Sequence, residues 1–246
     1  MSLFAILSLL MALALKQSSS LWVTSSSHQD ANEVLRKISA RLERDVPMVS
    51  LEQLDIAPVP ASLGGGVDGD AVWFLSHINP TTGRPHLKAD GTPFWQCNVL
   101  YYSVVPESVD QLSTRPIRSG STDGYEDRCP YKVVIRKVVD QGIPTDPNDE
   151  DTEEKLMSAA DIAPYLSRPD RLSVAAMAGE ANLLDLEIVG YPVLLFRGSP
   201  ITAPEGIQFD IRAVAIERAH RLDKGSESLL ESAATIRSEL FVSAHN

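Results

Sequence analysis

The feature that most constrains this chain is its N-terminal stretch, in which an apolar segment is followed at once by an amphipathic one. Residues 1–15 carry no charged side chain, and the first charge is Lys16. At a rise of ~1.5 Å per residue this segment reaches about 22 Å as a helix. A membrane-crossing helix needs roughly 20 apolar residues to cover about 30 Å of hydrocarbon. The segment by itself is therefore short for a membrane span.

The pattern that follows is typical of an amphipathic helix. Between residues 21 and 46 apolar side chains recur at three- and four-residue steps, and charged side chains fill the opposite face. Glu33 and Lys37 have the spacing at which opposite charges pair on a helix, and Pro47 ends the pattern. If the serine-rich patches do not interrupt it, one helix of roughly 65 Å extends from the N-terminus to about residue 46. The side chains expected to pack this helix on the rest of the protein are Val34, Leu35, Ile38 and Leu42.

The rest of the chain contains short runs of β-branched and aromatic residues separated by turn residues, a pattern that predicts strands. The predicted strands are 71–76, 94–105, 131–139, 186–197 and 207–217, with a possible edge strand at 239–246. In the fifth of these, Ile207, Phe209 and Ile211 alternate with polar residues, as in a half-buried strand. Short helices are predicted at 157–166, 172–184 and 226–237. A long helix followed by antiparallel strands indicates an α+β fold.

Three regions follow from these patterns. Residues 1–23 are the apolar half of the helix, which is apolar on every side and is expected to lie in lipid or among copies of itself. Residues 24–46 are the amphipathic half, and residues 47–246 form a β-rich globular head. A chain of 246 residues with 43% hydrophobic residues is long enough to bury a sizeable core.

Charge and cysteine content argue against several classes of protein. The formal net charge of −11 repels phosphate backbones and anionic lipid headgroups. We therefore expect no nucleic-acid partner, and any membrane contact has to be hydrophobic. The two cysteines, Cys97 and Cys129, are too few for a structural zinc site. They can form one disulfide in an exported protein or stay as two separate thiols, and the sequence does not decide between these.

Two segments have a partial likeness to ligand-binding motifs. The run GGGVDG at 64–69 fits the spacing of a dinucleotide fingerprint, but a proline-rich loop precedes it and a strand follows, which reverses the required order. It predicts a flexible connection. Six acidic residues lie within 146–154, yet Asp151 stands where an EF-hand loop requires glycine. A solvated acidic loop is the preferred interpretation, with calcium binding left open.

Other patterns give no sign of catalysis. The five histidines are scattered, and no serine lies in a G-x-S-x-G turn. The aromatic runs FWQC and LYYS could form a stacking platform, but rings buried in a strand are the expected outcome. The sequence assigns no catalytic, cofactor-binding or metal-binding residue, and we expect a protein that is not an enzyme and needs no cofactor.

The order of elements resembles the type IV pilins and the pseudopilins of type II secretion. The run MSLFAILSLLMALAL is similar to the middle of a prepilin helix. Further segments are similar to parts of the J-type minor pseudopilins and other large minor pilins, namely LRKISARLERDV, GDAVWFLS, NVLYYSVV, YKVVIRKVVD, GEANLLDLEIVGY and FVSAHN. These segments are spread over most of the chain, but each one matches the family only loosely. The family's leader peptide, its cleavage glycine and the glutamate near the mature N-terminus have no counterpart in this sequence.

This resemblance implies a pilin-like fold, in which the long helix packs on antiparallel sheet with extended loops. It also implies a structural subunit, a minor pilin or pseudopilin of a type IV pilus-like or type II secretion filament. Residues 1–23 would be a single-pass inner-membrane anchor that later enters the filament core, with the head in the periplasm. Implied partners are other minor pilins or pseudopilins and the major pilin, through the N-terminal helix, together with inner-membrane lipid.

The same comparison predicts that the true N-terminus lies upstream of Met1. Restoring about seven residues would lengthen the apolar helix to about 33 Å, enough to cross a bilayer. Two alternatives stay open. The first is an exported binding module whose signal peptide is cleaved after Ala12-Leu13-Ala14, and the second is an envelope enzyme with a dispersed site in a deep cleft.

Overall fold

The computed structural model describes residues 2–46, 51–57, 71–107, 131–142, 144–146, 148–202, 205–215 and 234–243. The N-terminal region is a single α-helix, α1, Ser2–Asp45, of 44 residues. The serine-rich patches do not interrupt it, because their hydroxyls bond back to carbonyls of the helix itself. The Ser20 hydroxyl donates to Gln17 O at 2.9 Å, and the Ser27 hydroxyl to Val23 O at 2.7 Å. The predicted continuous helix is confirmed.

One seven-stranded antiparallel sheet follows, and each of its strands pairs with the next one along the chain, in the order β1-β2-β3-β4-β5-β6-β7. The layout of a long helix and an antiparallel sheet is therefore α+β. The strands are β1 Leu54–Ala57, β2 Ala71–Ser76, β3 Cys97–Val104, β4 Lys132–Val139, β5 Leu183–Thr202, β6 Glu205–Ala215 and β7 Ala234–Ser243.

The sheet has two covered faces because its central strands are apolar on both sides. In β2, Val72 and Phe74 belong to the core beneath α1, whereas Ala71 and Trp73 belong to a second core on the opposite face. Such continuous burial explains why these strands read as uninterrupted hydrophobic runs. Beyond them, β6 is half-buried, and the predicted alternation of Ile207, Phe209 and Ile211 inward is confirmed.

The second face is covered by the connection between β4 and β5. This segment contains a short helix, α2 Ala159–Ile162, followed directly by a 3-10 turn at Ala163–Tyr165. The indole of Trp73 donates to Met157 O at 2.8 Å, which attaches the segment to the sheet. The long connection is thus a packed layer, and the helix predicted at 157–166 is confirmed in its central part.

Two sequence predictions of helix are wrong where the structure describes them. Residues 172–182 form turns, and β5 begins at Leu183, so the helix predicted at 172–184 is not formed. Arg171 and Asn182 bound these turns with positive φ angles of 57° and 59°, a conformation that a helix does not contain. The predicted helix at 226–237 conflicts with β7, which begins at Ala234. Its part before that residue lies outside the described residues.

The strand predictions agree with the sheet, with differences at their ends. Residues 71–76 match β2 at both ends. The strand predicted at 186–197 extends in the structure over Leu183–Thr202, and the predicted edge strand begins earlier, at Ala234. β1 was not predicted, because four residues carry too little periodicity.

Candidate functional site

The N-terminal half of α1 exposes an apolar surface that the head does not cover. Phe4 is 77% exposed and Trp22 is 72% exposed. Soluble monomers rarely leave so many large apolar side chains in water, and such surfaces are typical of protein or membrane contacts. We call this the apolar half of α1; its exposed large side chains are Phe4, Ile6, Leu7, Leu9, Leu10, Met11, Leu13, Leu15, Leu21 and Trp22.

Within the described part of the chain, one helix has the length and composition to cross a membrane. The head buries none of the apolar stretch of this helix. A signal sequence close to the N-terminus has the same length and composition. The apolar half of α1 is thus compatible with a membrane anchor and with a signal.

The head begins to cover the helix directly after Trp22. Val23 and Thr24 are half-buried, Ser27 is buried, and Ala31 is only 1% exposed. From there on the buried side chains recur at helical spacing, which is the stripe that the sequence predicts. We call residues 27–46 the docked half of α1.

Close approach of the docked half to the sheet depends on a missing side chain in β5. Ile38 is fully buried, and its Cδ1 would lie 2.5 Å from a Cβ placed on Gly190. Val34 would also be within 3.1 Å of that Cβ. Glycine therefore leaves the space that these side chains fill, as glycines in strands do where another element packs closely. The predicted contacts of Val34, Leu35, Ile38 and Leu42 are confirmed, since all four belong to the core under the helix.

A buried ion pair fixes the C-terminal end of α1 to the middle of the sheet. Oδ2 of Asp45 accepts from Arg136 Nε at 2.6 Å and from the Tyr101 hydroxyl at 2.7 Å, while Oδ1 accepts from Arg44 Nε at 2.8 Å. Arg136 also donates through Nη1 to Asp185 at 2.7 Å. The side chains of Asp45 and Arg136 are only 5% and 9% exposed. Helix end, β3, β4 and β5 thus share one set of charge-assisted hydrogen bonds.

Burial and the neighbouring positive charge shift the pKa of Asp45 in opposite directions. Burial alone would raise the pKa of Asp45, but the Arg136 charge and the hydrogen bonds from Arg44, Tyr101 and Arg136 lower it below its ordinary value. Burial and the neighbouring Asp45 carboxylate both raise the pKa of Tyr101. The carboxylate is therefore charged and the phenol neutral over the whole neutral range.

A cavity of about 280 Å³ lies beside this ion pair, between the end of α1 and the loop after β2. Arg41, Arg44 and Arg136 line it together with Asp45 and Asp185. Arg41 pairs with Glu187 at 2.6 Å, so the described charges around the cavity are largely matched to one another. This arrangement holds the helix in place, and the described residues that line the cavity do not pair a nucleophile with a base.

Cys97 also faces this cavity, and burial raises the pKa of its thiol to about 12. A thiol with so high a pKa is unreactive at neutral pH. Cys129 lies outside the described residues, so the choice between a disulfide and two separate thiols is not tested.

The opposite face of the sheet holds a second buried charge. Lys137 is fully buried, and its ammonium pairs with the Glu180 carboxylate at 2.6 Å. Burial lowers the pKa of Lys137, and Glu180 opposes this shift. This pair attaches the turns of residues 171–182 to β4, which explains why that segment packs without being helical.

A second carboxyl, Glu154, is buried next to Asp140 at the end of β4. Its Oε1 accepts from Asn98 Nδ2 at 3.0 Å, and both oxygens face backbone N–H groups of residues 141 and 142 at 3.4 Å. Burial, followed by the hydrogen bond with Asp140, raises the pKa of Glu154 to about 7. Its neutral form is therefore populated at mildly acidic pH.

The motifs considered in the sequence have different outcomes. GGGVDG at 64–69 lies outside the described residues. The acidic loop 146–154 is exposed at its described start, where Asp146 accepts from Asn148 N at 2.9 Å. Its end is not the solvated segment that the sequence predicts, because Glu153 pairs with Lys88 at 2.6 Å and Glu154 is buried against Asn98. Among the described residues, no group of three or more His, Cys, Asp or Glu side chains is placed to hold a metal ion. In the two aromatic runs, the rings of Tyr101 and Tyr102 are buried in β3, as expected of strand residues. Phe94 is also buried but lies before β3, and Trp95 is half-buried.

Sequence reasoning missed the pairs Asp45–Arg136 and Lys137–Glu180. The available signal was the presence of Arg136 and Lys137 inside the apolar run YKVVIRKVV. A charge in a buried strand has to find a partner, so each of these residues predicts a buried acid elsewhere in the chain. The identity of that acid depends on the tertiary fold.

Comparison of the chain with protein-family models, curated proteins and solved structures finds no match.

Proposed function

We propose that this chain is a structural subunit, a minor pilin or pseudopilin, of a type IV pilus-like or type II secretion filament. In this proposal the apolar half of α1 is a single-pass anchor in the inner membrane, and the head is periplasmic. The fold is then pilin-like, with the helix on one face of the antiparallel sheet. The chain acts by assembly and not by catalysis.

One observation carries the proposal: a single helix is apolar and exposed over its first half and buried against the head over its second half. A hinge between the two halves would let the head detach from the anchor. Here the hydrogen-bonded helix continues through Ser20 and Ser27, so that a movement of the apolar half moves the head with it. Such a rigid connection suits a subunit that is lifted out of a membrane as one body.

Assembly would exchange one apolar environment for another. In the bilayer the side chains around Leu9 and Leu10 contact acyl chains. In a filament they would contact the helices of neighbouring subunits, with small residues such as Ser8 and Ala12 allowing close approach. The partners would be other minor pilins or pseudopilins and the major pilin.

A first experiment separates this proposal from the exported-module alternative. The gene is expressed with its natural upstream sequence, envelope fractions are extracted with alkaline carbonate, and the mass of the retained chain is measured. We expect the chain to stay in the membrane pellet with residues 2–15 intact. A mature chain that begins after Ala14 and is released in soluble form would overturn the proposal and favour the signal-peptide alternative.

A second experiment tests assembly. A photo-crosslinking amino acid is placed at Leu9 in the apolar half and, as a matched control, at Leu87, which is 54% exposed on the head. We expect the Leu9 variant to form adducts whose partner peptide maps to the apolar N-terminal helix of another subunit. Adducts to lipid alone, in cells that build the filament, would contradict the assembly role while leaving the anchor intact.

A further inference from the structure

The junction between the two halves of α1 contains an unusual placement of large apolar side chains. Leu21 and Trp22 are 71% and 72% exposed, although the segment before them, Lys16–Ser20, is polar. The head begins to cover the helix only at the next residue, Val23. Packing against the described residues does not explain an exposed tryptophan between a polar segment and the head.

The residue types in this segment suit one environment in particular. Tryptophan is enriched where a membrane meets water, because its ring is apolar and its indole N–H can still donate a hydrogen bond. Lysine can keep its aliphatic stem in hydrocarbon while its ammonium reaches the headgroup layer. The positive charge of Lys16 is also complementary to lipid phosphate.

The geometry of the helix brings these two side chains to similar depths. Six steps of ~1.5 Å separate the Cα atoms of Lys16 and Trp22 by about 9 Å. Side chains on a helix lean toward its N-terminus, so the Trp22 ring points down toward the membrane. The flexible stem of Lys16 extends in the opposite sense, upward to the phosphates. Both groups then fall within an interfacial layer that is about 5–8 Å thick on each side of a bilayer.

The polar groups between them are compatible with this layer. Ser20 does not require water, because its hydroxyl donates to Gln17 O at 2.9 Å. A hydroxyl that is satisfied within the helix can enter the lower part of the interface at little cost. The upper part of the segment stays hydrated.

We propose that Lys16–Trp22 is the interfacial segment of the anchor, with the Trp22 indole among the lipid carbonyl groups and the head starting immediately above the bilayer surface. This inference rests on the proposed anchoring function and adds the depth at which the helix is held. While the subunit is in the membrane, the exposed side chains of Leu21 and Trp22 would contact lipid headgroups and the adjoining part of the acyl chains.

The test measures the depth of Trp22 by fluorescence quenching in the full-length chain. The protein is reconstituted in phosphatidylcholine vesicles that contain lipids brominated either near the ester group or near the end of the acyl chain. Trp22→Phe provides the background from Trp73, which is buried, and Trp95, which is half-buried. We expect the shallow bromine to quench the Trp22 signal about twofold more strongly than the deep one, as for an interfacial indole.

Each other outcome has a defined meaning. If the chain does not associate with vesicles, the anchoring function itself fails, and the inference fails with it. If the chain is membrane-bound but Trp22 is quenched by aqueous acrylamide and by neither lipid, the inference alone is overturned. Stronger quenching by the deep bromine overturns it as well, as does protection from all three quenchers, which would indicate that a second helix covers Trp22.

Discussion

The two halves of α1 have the same secondary structure and opposite surroundings. Ile6 in the apolar half is 58% exposed, whereas Ile38 in the docked half is completely buried. A helix in a protein is stabilised mainly by the packing of one face, and the docked half obtains this packing from the head. The apolar half has no such face within the described structure. Its stabilising contacts have to come from lipid or from other helices.

The comparison also shows what each half requires of its sequence. The docked half has a narrow apolar stripe, and near its end Asp45 forms an ion pair with one specific residue of the head, Arg136. The apolar half carries large side chains on all sides and lacks any charge before Lys16. One half is therefore specific for this head, and the other is suited to any apolar surrounding. The following predictions test this division, beginning with the largest expected effect.

Removing the Asp45 carboxylate should break the attachment of the docked half. In Asp45→Ala the Arg136 guanidinium stays buried without its main partner, which costs about 4 kcal/mol of unfolding free energy. Urea denaturation followed by circular dichroism measures this loss.

Two further variants control for other causes. Glu33→Ala removes an exposed pair with Lys37, whose atoms lie 2.9 Å apart, and should leave the stability nearly unchanged because water and salt screen such a pair. Replacing both buried partners, in Asp45→Leu with Arg136→Met, should recover part of the stability. A loss in Asp45→Ala no larger than that in Glu33→Ala would show that the ion pair does not hold the helix.

The two isoleucines allow the same deletion in both halves. Ile38→Ala leaves a cavity beneath the helix at Gly190 and should reduce the unfolding free energy of the head by about 3 kcal/mol. Ile6→Ala removes the same atoms from an exposed side chain and should leave the stability of the head unchanged. Equal losses in the two variants would mean that the apolar half also packs on the head.

A charge introduced into the apolar half should reduce membrane retention and leave the stability of the head unchanged, which is the opposite of what Ile38→Ala should do. Leu10→Arg places a guanidinium inside the proposed span, at a cost of about 3 kcal/mol for membrane insertion. We expect a large loss of carbonate-resistant membrane retention with an unchanged melting temperature of the head. Leu87→Arg, at an exposed position of the head, is the control and should keep full retention. Retention of Leu10→Arg at the original level would argue against the anchor.

The last variant changes the head without touching either half of the helix. The pKa of Glu154 is raised from 4.5 to about 7, so the folded state binds this proton more tightly than the unfolded state. Stability contributed by this group is therefore full below its unfolded pKa and falls as the pH rises toward 7. Glu154→Gln, which keeps the acceptor for Asn98, should be more stable by about 2 kcal/mol near pH 7.5, and this difference should shrink toward pH 5.

Melting temperatures at the two pH values measure that difference. Asp151→Asn, at an exposed position of the same acidic loop, is the matched control for removing one carboxylate charge from this loop. Membrane retention should be the same in both variants. A Glu154→Gln variant that is less stable near neutral pH would show that the charged carboxylate is required there.

The parts of the fold that could be predicted from the sequence are those with strong local periodicity. The helix stripe at Val34, Ile38 and Leu42 and the alternation of β6 each extend over many residues, and the structure contains both. The segment 172–182 was predicted wrongly for a tertiary reason. There Met177 is buried in the second core and Glu180 pairs with Lys137, so contacts distant in sequence override helix propensity.

The attachment of the helix was only half predictable. The apolar contacts follow from spacing, but the partner of Asp45 lies 91 residues further along the chain. No local pattern connects the two residues. The place of Gly190 opposite Ile38 is likewise fixed by the register of β5 under the helix. Such contacts can be identified only from the tertiary structure, in which the helix packs on the sheet.

The pairing order of the sheet has a consequence for biogenesis. Each strand hydrogen-bonds to its neighbour in the chain, so the sheet can grow hairpin by hairpin without waiting for distant segments. The N-terminal helix leaves the ribosome first, yet its docking surface includes β5 and β6, which are made much later. The docked half of α1 is thus synthesised before the strands on which it packs, and under the proposed function the apolar half would enter the membrane during that interval.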